Sequence, residues 1–227
     1  MRLRCIGVVV YSIANTILTP PNTIYMRNYR SLFACLLLTF CTRAVCVEAV
    51  LRDDVSVSTA PGVPLTNGKA NYLRVSQTDY TFLRFEFDSV LPDGTTSAQI
   101  AKATLRLWCA GGRVGGACDV SPVKGPWSES SGGIFPKALP TLGPAVTATG
   151  HDLNGGFLVI DVTTLVRDWV SGTPNWGLAL HGVFISGLPG GLDGGPGRPA
   201  SPMNLIFDSK ENPFTGHLPT LQIVLRP

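Results

Sequence analysis

The chain has 227 residues and a formal net charge of +3, which is unevenly distributed. Residues 1–49 carry five arginines and one glutamate, whereas residues 50–227 carry 13 basic and 14 acidic side chains, a net charge of −1. The second region therefore lacks the basic surface that nucleic-acid binding requires, and it is long enough for one domain with an adequate core.

The first 49 residues are typical of a targeting segment. Two basic-plus-apolar patterns follow one another, and the second has its apolar run at residues 32–41. We predict that Met26 is the true start and that residues 1–25 are an upstream extension. The second run is shorter than the roughly 20 residues of a membrane span, so we favour a secretory signal over a membrane anchor.

Small residues mark the end of this signal. Val47 and Ala49 fit the −3 and −1 positions of a cleavage site, whereas cleavage after Ala44 or Cys46 is less favourable. We therefore predict a secreted, extracellular domain over residues 50–227, with no stable membrane span after cleavage.

Two cysteines remain in this domain, and the others lie in the segment that we expect to be removed. Cys109 and Cys118 flank the sequence AGGRVGGA between two predicted strands. This arrangement predicts a disulfide across a hairpin in an oxidising compartment. Two thiols with no nearby pair of histidines make a poor zinc site.

Short runs of β-forming residues alternate with turn residues along the domain. In residues 81–88, Leu83, Phe85 and Phe87 point to one side, and residues 103–109 repeat this alternation. Further strands are expected at residues 53–58, 72–75, 119–123, 177–181, 205–209 and 221–225.

A strand is followed directly by a helix in the most strongly patterned stretch. Residues 157–162 are apolar on both faces, which is typical of a central strand covered on both sides. After Asp161 the apolar residues recur at helical spacing. A two-turn helix should follow, with Thr163 or Thr164 as its N-cap and Trp169 facing the core.

The same stretch carries a sequence motif. It reads D-V-T-x-L-V-x-x-W-x-x-G and then N-W-G-L, and it runs from Asp161 to Leu178. Together with FLRFEFDSVLPDGTTSAQIAKATLRLWC and the ending FDSKENPFTGHLPTLQIVL, it resembles the DNRLRE-type β-sandwich domain, classed as carbohydrate-binding module family 96. The resemblance implies structural roles for the motif residues, which are Asp161, Thr163, Trp169, Asn175, Gly177, Trp127, Glu129 and Glu211.

The resemblance covers nearly all of residues 50–227 and implies both a fold and a function. The expected fold is an all-β antiparallel sandwich of jelly-roll type with one short helix. The expected function is that of a secreted, non-catalytic module that binds a polysaccharide, an acidic one in particular. A structural or adhesive extracellular module without a glycan ligand is the alternative. The Gly/Pro-rich loop at residues 187–199, the cysteine pair and Glu86 depart from the family pattern.

The chain lacks the local patterns of common catalytic sites. It has no G-x-S-x-G, H-E-x-x-H, Walker or C-x-x-C motif. Two of the three residues Glu86, Glu129 and Glu211 could form the carboxylate pair of a glycosidase. Glu129 and Glu211, however, belong to motifs to which the resemblance assigns a structural role. We therefore predict a protein that is not an enzyme, with a β-sandwich polysaccharide lyase or glycosidase as the less favoured alternative.

Candidate binding residues lie on the outward face of the central hairpin. A sugar ring stacks on an aromatic face, and an anionic sugar also favours a guanidinium group. The predicted ligand-binding residues are Trp108, Arg106, Arg84 and His181. The alternative for Trp108 is that it packs under a neighbouring loop. No cofactor is expected beyond a structural Ca²⁺, for which Asp53, Asp54 and Asp161 are weak candidates without a Ca²⁺-loop pattern.

Overall fold

The computed structural model describes six segments of the chain. These are residues 44–62, 68–114, 116–129, 139–150, 155–183 and 203–226. The predicted signal up to residue 43 and the Gly/Pro-rich loop at residues 187–199 lie outside the described residues.

Ten strands, paired antiparallel throughout, and one short α-helix make up the described structure, which confirms the all-β, sandwich-like fold. The strands are β1 (Val45–Ser58), β2 (Tyr72–Val75), β3 (Asp79–Glu86), β4 (Ile100–Val114), β5 (Gly116–Pro122), β6 (Val146–Gly150), β7 (Phe157–Asp161), β8 (Leu178–Val183), β9 (Asn204–Asp208) and β10 (Thr220–Leu225). The helix is α1 (Thr163–Val170), and a 3-10 turn covers Ser97–Gln99. Among the described residues, no helix is long and apolar enough to cross a membrane.

Strand β1 connects the two layers of the sandwich. Its first five residues pair with β10, and the residues from Val50 onward pair with β3, with a register shift between Leu51 and Asp53. The first layer consists of β1, β10, β4 and β7, with β9 and then β2 continuing along β4. The second layer consists of β1, β3, β8, β5 and β6. The strand changes partner between Ala49 and Val50, and the bulge that follows bends it within the second layer.

The folded unit begins before the predicted boundary at residue 50. Residues 45–49 are part of β1, and Ala49 pairs with Leu221 and is only 6% exposed. Cleavage after Ala49 would remove the strand that covers one edge of β10. Because Ala44 immediately precedes β1, we expect that a signal cleavage compatible with this fold leaves Val45 as the first residue, which N-terminal sequencing of the mature chain tests. A mature chain beginning at Val50 would contradict this expectation.

The core lies between the layers and follows the predicted alternation. Leu105 and Leu107 of β4 and Leu83 and Phe85 of β3 are buried in one cluster, together with residues of β7, β8 and β10. Because alternate residues of a strand point to opposite faces, the residues between them lie on the two outer faces of the sandwich.

Strand β7 departs from the prediction of a strand covered on both sides. Within the described residues it pairs with β4 and with no other strand, and Val159 is 57% exposed. Leu158 and Ile160 face the core, as their burial shows. The strand is apolar on both faces, yet it is an edge strand whose outer face is open.

The start of α1 is fixed by a residue other than the two predicted caps. Val162 is the N-cap and makes no side-chain hydrogen bond there. Instead, the backbone N–H of Thr163 donates to Asp161 Oδ1 at 2.9 Å, and the hydroxyl of Thr163 donates to the same oxygen at 2.6 Å. These hydrogen bonds lower the pKa of the Asp161 carboxyl. Thr163 Oγ1 also accepts from the N–H of Ala103, which anchors the helix to β4.

The predicted hairpin between the two cysteines does not form. In the described residues, β4 pairs with β9 at Cys109, whereas β5 pairs with β8 and β6 at Cys118. Both cysteines are buried free thiols, and the thiol of Cys109 donates to the carbonyl of Gly111 at 3.3 Å. Burial raises the pKa of both thiols, that of Cys118 to about 12.

We therefore expect these two thiols to be free and unreactive in the folded protein. Alkylation of the native protein without reductant should spare Cys109 and Cys118, because a buried thiol of raised pKa holds little thiolate. Unfolding, again without reductant, should expose both to the reagent. A disulfide-linked peptide pair containing both residues, found by mass spectrometry, would restore the original prediction.

Candidate functional site

The outer face of the first layer carries an aromatic group whose position follows from the strand order. Strand β9 pairs with β4 from Cys109 onward, and β10 pairs with β4 as far as Arg106. Trp108 lies between these two points, where the loop of residues 209–219 joins β9 to β10. This loop places the ring of His217 over Trp108, with 4.1 Å between the ring centres.

Two further side chains complete this group, which we call the aromatic patch: Trp108, Phe157, His217 and Arg106. Phe157 of β7 is paired with Trp108, and the two rings are in T-shaped contact with 5.0 Å between their centres. The guanidinium carbon of Arg106 lies 4.3 Å from the centre of the Phe157 ring. Trp108 is thus half-buried between His217 and Phe157. The loop covers part of it, in line with the alternative prediction that Trp108 packs under a neighbouring loop.

A polar pair connects His217 of the patch to a buried carboxylate beneath it. Asp208 at the end of β9 is 1% exposed, and its Oδ2 lies 3.7 Å from Nδ1 of His217. Within the described structure both of these atoms lack a hydrogen-bond partner. The other carboxylate oxygen of Asp208 accepts from the amide of Asn212 at 3.0 Å. The pair and this hydrogen bond connect both ends of the loop to β9.

No protein-family model matches this chain, and no curated protein is significantly similar to it. Membership in the DNRLRE family of carbohydrate-binding modules therefore stays a prediction from the motifs.

The structure does not bring the four predicted ligand-binding residues together. Arg106 and Trp108 lie on the outer face of the first layer, whereas Arg84 and His181 lie on the outer face of the second. Arg84 forms an ion pair with Asp53 and lies 5.6 Å from the ring centre of Trp127. Its guanidinium is therefore engaged within the fold.

His181 is held in the second layer by its own contacts. Its ring stacks on Tyr80 at 4.1 Å, and its Nε2 lies 2.9 Å from the carbonyl oxygen of Gln77. The predicted single patch is thus divided, because consecutive strands of the sequence belong to opposite layers.

The three weak calcium candidates do not form one site either. Asp53 pairs with Arg84, and Asp161 lies at the start of α1. Asp54 is instead part of a carboxylate cluster with Glu129 and Glu211, whose ligand oxygens lie within 4.8 Å of one another. These three carboxylates are the residues that could hold a cation.

The carboxylate cluster already has a cation of its own. The ammonium of Lys210 forms ion pairs with Glu129 and Glu211. Glu129 accepts the N–H of Asp54 at 3.0 Å, and Asp54 accepts the N–H of Lys210 at 2.8 Å. The hydroxyl of Ser209 donates to Glu211 at 2.8 Å. These contacts connect β1, the segment after β5 and the segment after β9, which agrees with structural roles for Glu129 and Glu211.

Burial raises the pKa of the Asp54 carboxyl to about 7, and the hydrogen bond from the N–H of Lys210 opposes the shift. The pKa in the unfolded chain is near 3.8. Between these values the folded protein binds a proton that the unfolded chain has released. The contribution of Asp54 to stability is therefore fully present below about pH 4 and is lost as the pH rises through 7.

Thermal unfolding should show this pH dependence. We expect the melting temperature to be roughly 5 °C higher at pH 5 than at pH 8, because Asp54 loses its stabilising proton in this range. Burial also raises the pKa of Glu129, which changes the stability in the same direction. The difference should shrink in Asp54→Asn, which keeps an oxygen acceptor for Lys210 and cannot ionise. Equal pH dependence in both proteins would show that another group is responsible.

The remaining motif residues close the outer face of the second layer. The indole N–H of Trp127 donates to the carbonyl of Trp176 at 2.6 Å. The side chain of Asn175 donates to the carbonyl of Phe85 at 2.8 Å and accepts the N–H of Gly177 at 3.0 Å. These bonds fasten the turn before β8 to β3, which supports the structural roles predicted for Trp127, Asn175 and Gly177.

The sequence prediction missed Phe157, His217 and Asp208 as neighbours of Trp108. Phe157 was assigned to a covered strand, and His217 lies 109 residues from Trp108 in the chain. No local signal in the sequence pointed to these neighbours, because they are brought together by the pairing of β7, β9 and β10 with β4.

Proposed function

We propose that this protein is a secreted, non-catalytic module that binds an acidic polysaccharide through the aromatic patch. The observation that carries the proposal is the state of Arg106. Its guanidinium rests on the ring of Phe157, and among the described residues it has no carboxylate partner. A guanidinium held in place and free of a counter-ion favours a ligand carboxylate or sulfate, which it binds with two parallel hydrogen bonds.

The rings beside Arg106 suit the remainder of a sugar residue. Trp108 and Phe157 are each half-buried on the outer surface, so each ring remains in part accessible to a ligand. Amphipathic rings of this kind contact the C–H faces of sugars at low entropic cost. Beside them the open edge at Val159 leaves room for an extended chain to continue.

The test is a binding measurement on the purified full chain. A glycan array that contains uronate-bearing, sulfated and neutral polysaccharides should show binding to an anionic class. Arg106→Gln should then lower the affinity about tenfold, in line with loss of one charge-assisted hydrogen-bonded pair.

Lys102→Gln is the matched control. Lys102 lies on the same strand and the same outer face, is exposed, and is outside the aromatic patch. It removes the same charge and should leave the affinity nearly unchanged. Binding to no glycan at millimolar concentration would favour the structural or adhesive module instead. An equal loss of affinity in both variants would show that binding depends on the net charge of the protein and not on Arg106 in particular.

A further inference from the structure

A second surface lies at the opposite layer, in a cleft of about 430 Å³ between the end of β3 and the loop that joins α1 to β8. We call it the Trp176 cleft. Its lining includes Arg52, Arg84, Glu86, Asp88, Thr173 and Trp176. It shares no residue with the aromatic patch.

Trp176 differs from the other three tryptophans in its contacts. Trp127 is buried and donates its indole N–H to a backbone carbonyl. Trp169 lies on the buried face of α1 and packs in the core. Trp108 is covered by the rings of the aromatic patch. Trp176 is half-buried, and within the described residues its ring has no aromatic, cationic or hydrogen-bonding partner. One side of it packs on the outer cluster of the second layer, and the ring also lines the cleft.

The charges of the cleft determine what it favours. Arg84 is neutralised by Asp53, and Arg52 forms an ion pair with Glu86 at the surface. Asp88 is exposed and has no ion-pair or hydrogen-bond partner in the described structure. The cleft thus offers an arginine–carboxylate pair and one further acceptor carboxylate, that of Asp88, which has no counter-ion in the described structure.

We propose that the Trp176 cleft binds one residue of a neutral saccharide. A pyranose ring presents C–H groups to an aromatic face and hydroxyl groups at its rim. The hydroxyls can donate to Asp88 and Glu86 and accept from Arg52, whereas an anionic sugar meets the uncompensated carboxylate of Asp88. The proposal shares with the proposed function the premise that the ligand is a saccharide, but it concerns a separate site with the opposite charge preference.

Calorimetric titration of the full chain tests the proposal, with cellohexaose, mannohexaose and xylohexaose as neutral probes and an oligouronate as the acidic probe. At least one neutral probe should bind and change the tryptophan fluorescence. Trp176→Ala should lower its affinity about tenfold, as expected for loss of a stacking ring. The affinity for the oligouronate should be unchanged in this variant.

A milder variant guards against loss of folding in Trp176→Ala. Asp88→Asn removes only the acceptor charge of an exposed side chain and should weaken the neutral probe several-fold. Its control is Asp93→Asn, the same change at an exposed residue that lines a neighbouring cavity and not this one. The control should bind like the unmodified protein.

The outcomes separate this site from the proposed function. If the oligouronate binds and no neutral probe does, the Trp176 cleft proposal is overturned and the proposed function stands. If a neutral probe binds with equal affinity to the unmodified protein and to Asp88→Asn, the cleft is again excluded as its site. Absence of binding by every probe overturns the Trp176 cleft proposal, and it overturns the proposed function as well if the sulfated glycans of the array also fail to bind.

Discussion

Replacement of Trp169 by alanine is expected to destabilise the protein by roughly 3–5 kcal/mol, a large part of the stability of a typical domain. Trp169 is 7% exposed on the inward face of α1, and its ring stacks on Phe87 with 6.2 Å between the centres. Removing the ring loses its buried apolar surface and leaves a cavity that the sandwich and α1 cannot fill. Urea denaturation followed by far-UV circular dichroism measures the change.

Trp108→Ala provides the comparison for the same chemical change. Trp108 is half-buried on an outer face, so its removal leaves a surface depression and should cost about 1–2 kcal/mol. If Trp169→Ala remained within about 1 kcal/mol of the unmodified protein, the helix would not be packed as described, and Trp169 would become a candidate for ligand contact.

Gly177→Ala is expected to destabilise the protein to a similar degree, by about 4 kcal/mol or more. Gly177 has φ of +83°, and a Cβ atom there would lie 2.2 Å from the carbonyl oxygen of Leu83. That oxygen belongs to β3, which cannot withdraw without breaking its pairing with β1 and β8. Thermal unfolding of the variant, or its failure to accumulate in soluble form, provides the measurement.

Gly62→Ala separates the two contributions to that penalty. Gly62 has a similar φ of +78°, but among the described residues nothing lies within 4 Å of the position of its added Cβ. Its replacement should therefore cost only the backbone strain of about 1–2 kcal/mol. Equal effects of the two substitutions would mean that β8 does not approach β3 as closely as the structure has it.

The sequence by itself determined the local structure and the direction in which most side chains point. The alternation of Leu83 and Phe85, and of Leu105 and Leu107, predicted two strands with inward apolar faces, and all four residues are in the core. The helical spacing after Asp161 predicted α1 and the burial of Trp169. These features are local because the period of the backbone conformation is read directly from neighbouring residues.

The strand partners were decided only by the tertiary structure. Cys109 and Cys118 are nine residues apart in sequence and suggest a hairpin, yet their strands pair with β9 and with β6 and β8. An apolar face is satisfied by any complementary face, so periodicity fixes which side of a strand is buried and not what it is buried against. The predicted disulfide and the predicted four-residue patch both failed for this reason.

The candidate sites depend on the same long-range pairing. Glu129 accepts from Asp54 across 75 residues of chain, and Lys210 donates to Asp54 across 156. His217 covers Trp108 because β9 and β10 both pair with β4, on either side of Trp108 along the strand, and the loop between them carries His217. The sequence supplied the residue types of each site. Their association was set by closure of the two layers around the core, because only that packing brings distant segments of the chain together.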